Sequence, residues 1–200
     1  MNTHYTDVDR MILTRWEEVG ALREAYDGLL GRMTSTIDSA CARAGAWLQE
    51  QGYEWNHNAK YPGIWAWKSA WEKPRGEPLI TLEITDFAPL GFGKVSRPTP
   101  YLWISTVGLE RLKLKETDRI RFARELKATL GPAVAKWDHA AGDEASDPLG
   151  RYCTEVSDMQ RIDLVSHPAG LVNFFEKGFQ ELVALVPAID ETLKKYRETR

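Results

Sequence analysis

Two stretches of this 200-residue chain set flat aromatic rings among cations, and a third places carboxylates where they could hold a metal ion. In the first, Trp65, Trp67 and Trp71 are interleaved with Lys68, Lys73 and Arg75. In the second, Phe92, Lys94 and Arg97 repeat that composition between Asp86 and Pro100. Rings beside positive charge can stack on nucleic-acid bases or anchor a protein interface, since the ring supplies apolar area and the cation supplies direction. The competing reading for Trp65 and Trp67 is core packing against helices, because Ile64 and Ala66 are apolar too and suit a strand covered on both faces. The third group is Glu83 with Asp86, at the end of an alternating segment. Carboxylates and a lysine on neighbouring strands could bind magnesium and activate water for hydrolysis of a nucleic acid. The lysine that such a site wants two places after the acid is Thr85 here, so Lys68 would have to reach in from the adjacent strand. The simpler reading of Glu83 is the solvent parity of a half-buried strand.

Other chemistry lacks its residues. There is no P-loop and no dinucleotide glycine fingerprint, and Gly91-Phe92-Gly93 has neither the third glycine nor the helix start of a phosphate cradle. A G-x-S-x-G elbow, an H-E-x-x-H pair and an EF-hand loop are missing as well. His4, His57, His139 and His167 are dispersed, with no second ligand at metal-binding spacing. Asp138, His139, Asp143, Glu144 and Asp147 could gather a cation, but such a run reads more simply as a solvated loop. Cys41 and Cys153 lie 112 positions apart without a C-x-x-C partner, so they read as small buried hydrophobes. No cofactor and no catalytic residue is assigned.

Composition bounds the class. With 43% apolar and 28% charged residues the chain is of ordinary globular type, and its length suits one domain with a sizeable core. No apolar run approaches the about 18–20 residues of a membrane span, and no signal core follows the polar start, so a cytoplasmic protein is expected. The net charge of -3 is spread unevenly. Residues 1–59 carry 5 Lys/Arg against 9 Asp/Glu, residues 60–127 carry 13 against 8, and residues 128–200 carry 8 against 12. The basic middle could meet an anionic partner, or be neutralised by acidic flanks folding around it.

The elements that must position these residues follow from periodicity. Thr6-Asp7-Val8-Asp9 reads as a helix cap, and Val19, Leu22, Tyr26, Leu29 and Met33 recur at helical spacing, continuing through Ile37, Cys41, Ala44 and Leu48 to Gln51-Gly52. One 45-residue helix would run about 67 Å at 1.5 Å per residue, against a radius of gyration near 16 Å for a domain of this size. A hairpin broken at Gly31, with Ser35-Thr36-Ile37-Asp38 capping its second helix, is therefore preferred. From Gly52 the pattern alternates. Strands are expected around Tyr53–His57, Ile64–Ser69, Pro78–Thr85 and Tyr101–Val107, in an antiparallel meander, because the first connections are too short for a crossover helix. A helix follows from Thr117 to Leu130, a fifth strand at Arg151–Val156, and a terminal helix from Pro168 with Leu171, Phe175, Phe179 and Leu182 on one face. Pro187 should restart it. The expected fold is a single α+β domain over 1–200: a helical arm (1–51), a strand meander (52–107), and helices with one further strand (108–200).

The function expected from these residues is non-catalytic binding or regulation, through the tryptophan-rich surface of Trp65, Trp67, Lys68, Trp71, Lys73, Arg75, Phe92, Lys94 and Arg97. A protein is the leading partner, since a pI near 5.9 opposes non-specific phosphate binding. Nucleic-acid binding by the basic middle is the alternative, and a metal-dependent hydrolase using Glu83 and Asp86 stands behind it. The N-terminal helices leave a homodimer open.

Overall fold

The computed structural model describes residues 6–58, 63–72, 78–85, 101–105, 108–109, 115–134, 151–153, 160, 163–164 and 166–198. Thr6 opens the first helix as its type dictates. Its hydroxyl accepts from the Asp9 N–H at 3.2 Å, and the Asp9 carboxylate accepts from the Thr6 N–H at 2.7 Å, a complete capping box. Helix α1 spans Asp7–Thr14, and α2 spans Trp16–Glu50, with Arg15 between them at φ -121°, ψ 37°.

The hairpin expected at Gly31 is corrected: α2 is one 35-residue helix, and the break lies at Arg15 instead. A glycine costs a helix about 1 kcal/mol against alanine, but a break strands four N–H and four C=O groups on its two sides, which costs more. Nor does the segment around Ser35 act as a cap. The Thr36 hydroxyl donates to the Arg32 carbonyl at 3.0 Å, a bond along the helix. From Met33 onward the helix is also anchored, with Met33, Ile37, Ala40, Cys41, Ala44, Gly45 and Leu48 buried.

Gly52, at φ +83°, takes the left-handed turn out of α2 and starts the sheet. Strands β1 (Glu54–Asn58), β2 (Gly63–Trp67), β3 (Thr81–Thr85), β4 (Tyr101–Ser105) and β5 (Arg151–Cys153) lie in sequence order and pair antiparallel throughout. The meander is therefore as the alternating pattern predicts. Helix α3 (Glu116–Leu130) enters between β4 and β5, and α4 (Pro168–Val183) and α5 (Val186–Glu198) close the chain. Pro187 sits in the first turn of α5, where a missing N–H costs nothing.

The helices cover one face of the sheet. Ile64, Ala66, Leu82, Ile84 and Ile104 are buried on that face, against Leu171, Phe175, Phe179 and Leu182 of α4 and the C-terminal half of α2. A close approach fixes the seating of α2 on β1. A Cβ added at Gly45 would stand 2.2 Å from the Trp55 ring, so glycine is what lets the indole lie against the helix backbone. At the far end Phe122 of α3 meets Tyr196 of α5 edge-on at 5.0 Å, and the Tyr196 hydroxyl donates to the Asp118 carbonyl at 3.0 Å. Among the described residues no helix is long and apolar enough to cross a membrane.

Candidate functional site

The register of the sheet sorts the tryptophans. Trp55 pairs with Ala66, which places both on the helix-covered face, whereas Trp65 and Trp67 alternate with buried Ile64 and Ala66 and so take the opposite face. Trp65 is thus not packed on the helix-covered core, whereas Trp67 packs against that core's edge. Both are half-buried on the outer face, and Trp67 reaches the edge of the core while its Nε1–H donates to Glu72 Oε1 at 2.7 Å. In the cross-strand register Asn56, Trp65, Glu83, Trp103 and Arg151 form one row across all five strands.

Trp71 and Lys68 are engaged within the fold. Trp71 is only 1% exposed and ends the short 3-10 turn Ser69–Trp71, tucked under α5. Its Nε1–H donates to Asp190 Oδ1 at 2.6 Å, while Lys68 Nζ donates to Asp190 Oδ2 at 2.6 Å and lies 5.9 Å from the Trp71 ring. One carboxylate thereby satisfies a buried indole and pairs with the nearest lysine, so Trp71 lies inside the body while Lys68 stays half-buried at its edge with its charge matched. Asp190 also acts on Tyr53, whose hydroxyl is held above its usual range, first by burial and then by that charge. Lys73, Arg75, Phe92, Lys94 and Arg97 lie outside the described residues.

Of the residues weighed for a metal site, Glu83 and Lys68 are described, and these two are not brought together. Glu83 stands on the outer face, accepts a bond from the Thr81 hydroxyl, and is opposite Trp65 and Trp103 in the register. Lys68 follows the parity of Ile64 and Ala66 and turns to Asp190 at the other side of the sheet, so it does not reach Glu83. Among the described residues no three His, Cys, Asp or Glu side chains gather as metal ligands. His57 stands 3.8 Å from Asp38 of α2 and stacks on Trp55 at 5.9 Å. His167 opens α4 with Nδ1 3.0 Å from the Asp163 carbonyl oxygen. His4, Asp86, Asp138, His139, Asp143, Glu144 and Asp147 lie outside the described residues. Cys41 is buried in α2, and that burial, with Asp38 adding to it, pushes its thiol up to about 12, far from a nucleophile's range.

The feature that sequence reasoning left open as a dimer surface, and did not rank with the aromatic and basic segments, is the arm. No residue from 7 to 32 is buried. Val8, Met11 and Leu13 of α1 and Trp16, Leu22, Tyr26 and Leu29 of α2 are the large apolar side chains that stand exposed among the described residues, with Trp16 at 66% and Leu22 at 71%. Within α2, Leu22, Tyr26 and Leu29 continue the stripe that Met33, Ile37 and Ala44 bury on the body, so the same helix face is covered beyond residue 33 and bare before it. The signal was present in the unbroken 3-4 spacing from Val19 to Met33. The molecule is accordingly an α+β body carrying a helical arm with an apolar face. No protein-family model matches the chain, and no curated protein or solved structure matches it.

Proposed function

We propose that this protein works without catalysis, by binding another macromolecule in an assembly or regulatory role, and that the arm supplies the principal contact. The partner is a protein in preference to a nucleic acid. The observation that carries this is the concentration of exposed large apolar side chains between Val8 and Leu29. An apolar patch of that extent on a soluble domain marks an interaction surface. Residues 7–32 hold four arginines against six carboxylates, a balance that opposes a phosphate backbone and equally an anionic lipid surface. Lys68, one of the cations of the basic middle, is already neutralised by Asp190. A cytoplasmic location belongs to the same proposal and is supported by two cysteines without a disulfide framework.

The test is quantitative capture from lysate with the immobilised full chain and with its Leu22→Glu/Tyr26→Glu variant. Protein chains retained by the first and lost from the second support the reading. Identical retention by both, or nucleic acid retained by both with a steep loss between about 50 and 200 mM salt, overturns it.

A further inference from the structure

We infer that the occupant of the arm is a second copy of this chain, paired antiparallel over Trp16–Arg32. The inference rests on the arm being a protein-binding surface and adds the partner, the orientation and the register.

The arm cannot easily be a helix alone. Gly20, Gly28 and Gly31 lie on its solvent side, opposite Leu22, Tyr26 and Leu29, and each weakens a helix by about 1 kcal/mol against alanine. With nothing buried from 7 to 32, the described residues of the body bury none of that stretch and so do little to hold it helical. At their exposures the seven apolar side chains of α1 and α2 present on the order of 800 Å², about what one partner brings to an interface of standard size.

The spacing specifies how two arms fit. Val19, Leu22, Tyr26, Leu29 and Met33 fall at alternating a and d positions of a heptad pattern. A parallel pair is blocked by the body. In register, the second copy would need the same face of α2 beyond Met33, and that face is filled by the core packed on Ile37, Ala40 and Ala44. An antiparallel pair stacks Val19 on Leu29 of the second copy and Leu22 on its Tyr26. The same register sets Met33, where the body begins, level with Arg15 of the second copy, where its helix bends. The free segment between bend and body is thus used over its whole length, about 25 Å of helix. Past the bend, α1 brings Val8, Met11 and Leu13 to the end of the second copy's arm, beside its body.

The flanking charges agree with this register. Glu18 falls opposite Arg32 of the second copy, twice by symmetry, and Trp16 falls opposite its Leu30. Arg23 meets its own counterpart near the two-fold axis, where Asp27 of the same helix, 3.8 Å away, offsets the repulsion.

The experiment is light scattering coupled to size exclusion on the full chain, followed by sedimentation equilibrium on charge variants. Wild type is expected at twice the 22.7 kDa chain mass, and Leu22→Glu/Tyr26→Glu at 22.7 kDa with an unchanged circular-dichroism melting curve for the body. Glu18→Arg should weaken dimerisation by about 3–30-fold at low salt, and adding Arg32→Glu should restore it. A parallel pair would set Glu18 against Arg23 instead, so restoration reports orientation. Wild type at the monomer mass across concentrations up to about 100 μM overturns the second copy as occupant. Dimers without charge-swap restoration overturn the register. A monomer whose arm still captures a different chain, lost in Leu22→Glu/Tyr26→Glu, sinks this inference while leaving the binding function standing; a monomer with no arm-dependent capture sinks both.

Discussion

Helix α2 joins two regions that obey opposite rules. From Met33 to Leu48 its apolar stripe is buried, Gly45 admits the Trp55 ring, and every large side chain on that face has a partner. From Trp16 to Arg32 the same stripe continues on the same face, with glycines that touch nothing close or only the tip of an arginine, and no described residue covers it. Amphipathic periodicity records which face of a helix is meant to be covered, and not by what. In the body the cover is α4 and the sheet; on the arm no described residue supplies it, and the cover proposed above is a second copy of the chain.

Substitutions that treat the two regions alike should separate them. The largest effect is expected from Trp71→Ala, which removes a fully buried ring and leaves Asp190 short of one donor. It should cost about 3–5 kcal/mol of stability by chemical denaturation, and a loss under about 1 kcal/mol would show that the body tolerates a cavity there. Next is Gly45→Ala, whose new methyl would collide with Trp55 at 2.2 Å. Overpacking of this kind costs about 1–3 kcal/mol.

A third prediction concerns pH. The Cys41 thiol is raised from 9.0 to about 12 in the folded chain, so the native state holds its proton where the unfolded chain releases it. Stability from this group is complete below pH 9.0 and falls as pH rises from 9.0 toward about 12, by up to about 1.4 kcal/mol per pH unit. Tyr53, raised in the same sense from 10.0, adds to the fall at higher pH. Between pH 9 and 10 the unfolding free energy of wild type should therefore drop more than that of Cys41→Ala, and equal slopes would contradict the burial of the thiol.

The smallest effects belong to the arm, and one has the opposite sign. Gly31→Ala, with open space around the new methyl, should raise helix content and add about 0.5–1 kcal/mol where Gly45→Ala subtracts. A destabilising Gly31→Ala would mean that the face of the arm carrying Gly31 is covered and not open to solvent. Leu22→Glu, on a side chain 71% exposed, should leave the unfolding midpoint of the body within about 0.5 kcal/mol.

Much of the fold was legible in local pattern. The capping box at Thr6 and Asp9, the alternation at Thr81–Thr85, the stripe of Leu171, Phe175, Phe179 and Leu182, and the restart at Pro187 each depend on residues within a turn or two of one another. What the sequence alone determined is therefore the order and type of the elements, and the antiparallel meander that short connections impose on the strands. The candidate site was less legible. Parity shows that Trp65 and Trp67 share a face, and only the register with Trp55, Ala66 and Glu83 shows that it is the face away from the helices. Lys68 and Trp71 read as a cation beside a ring whatever surrounds them, and Asp190, more than a hundred positions away, is what turns them inward. The continuity of α2 through Gly31 is likewise tertiary in origin at one end, since the body grips it from Met33 onward. Local rules act over a few residues and fix periodicity; burial and pairing are set by whichever distant segment arrives to cover a face, and that is decided only when the chain is folded.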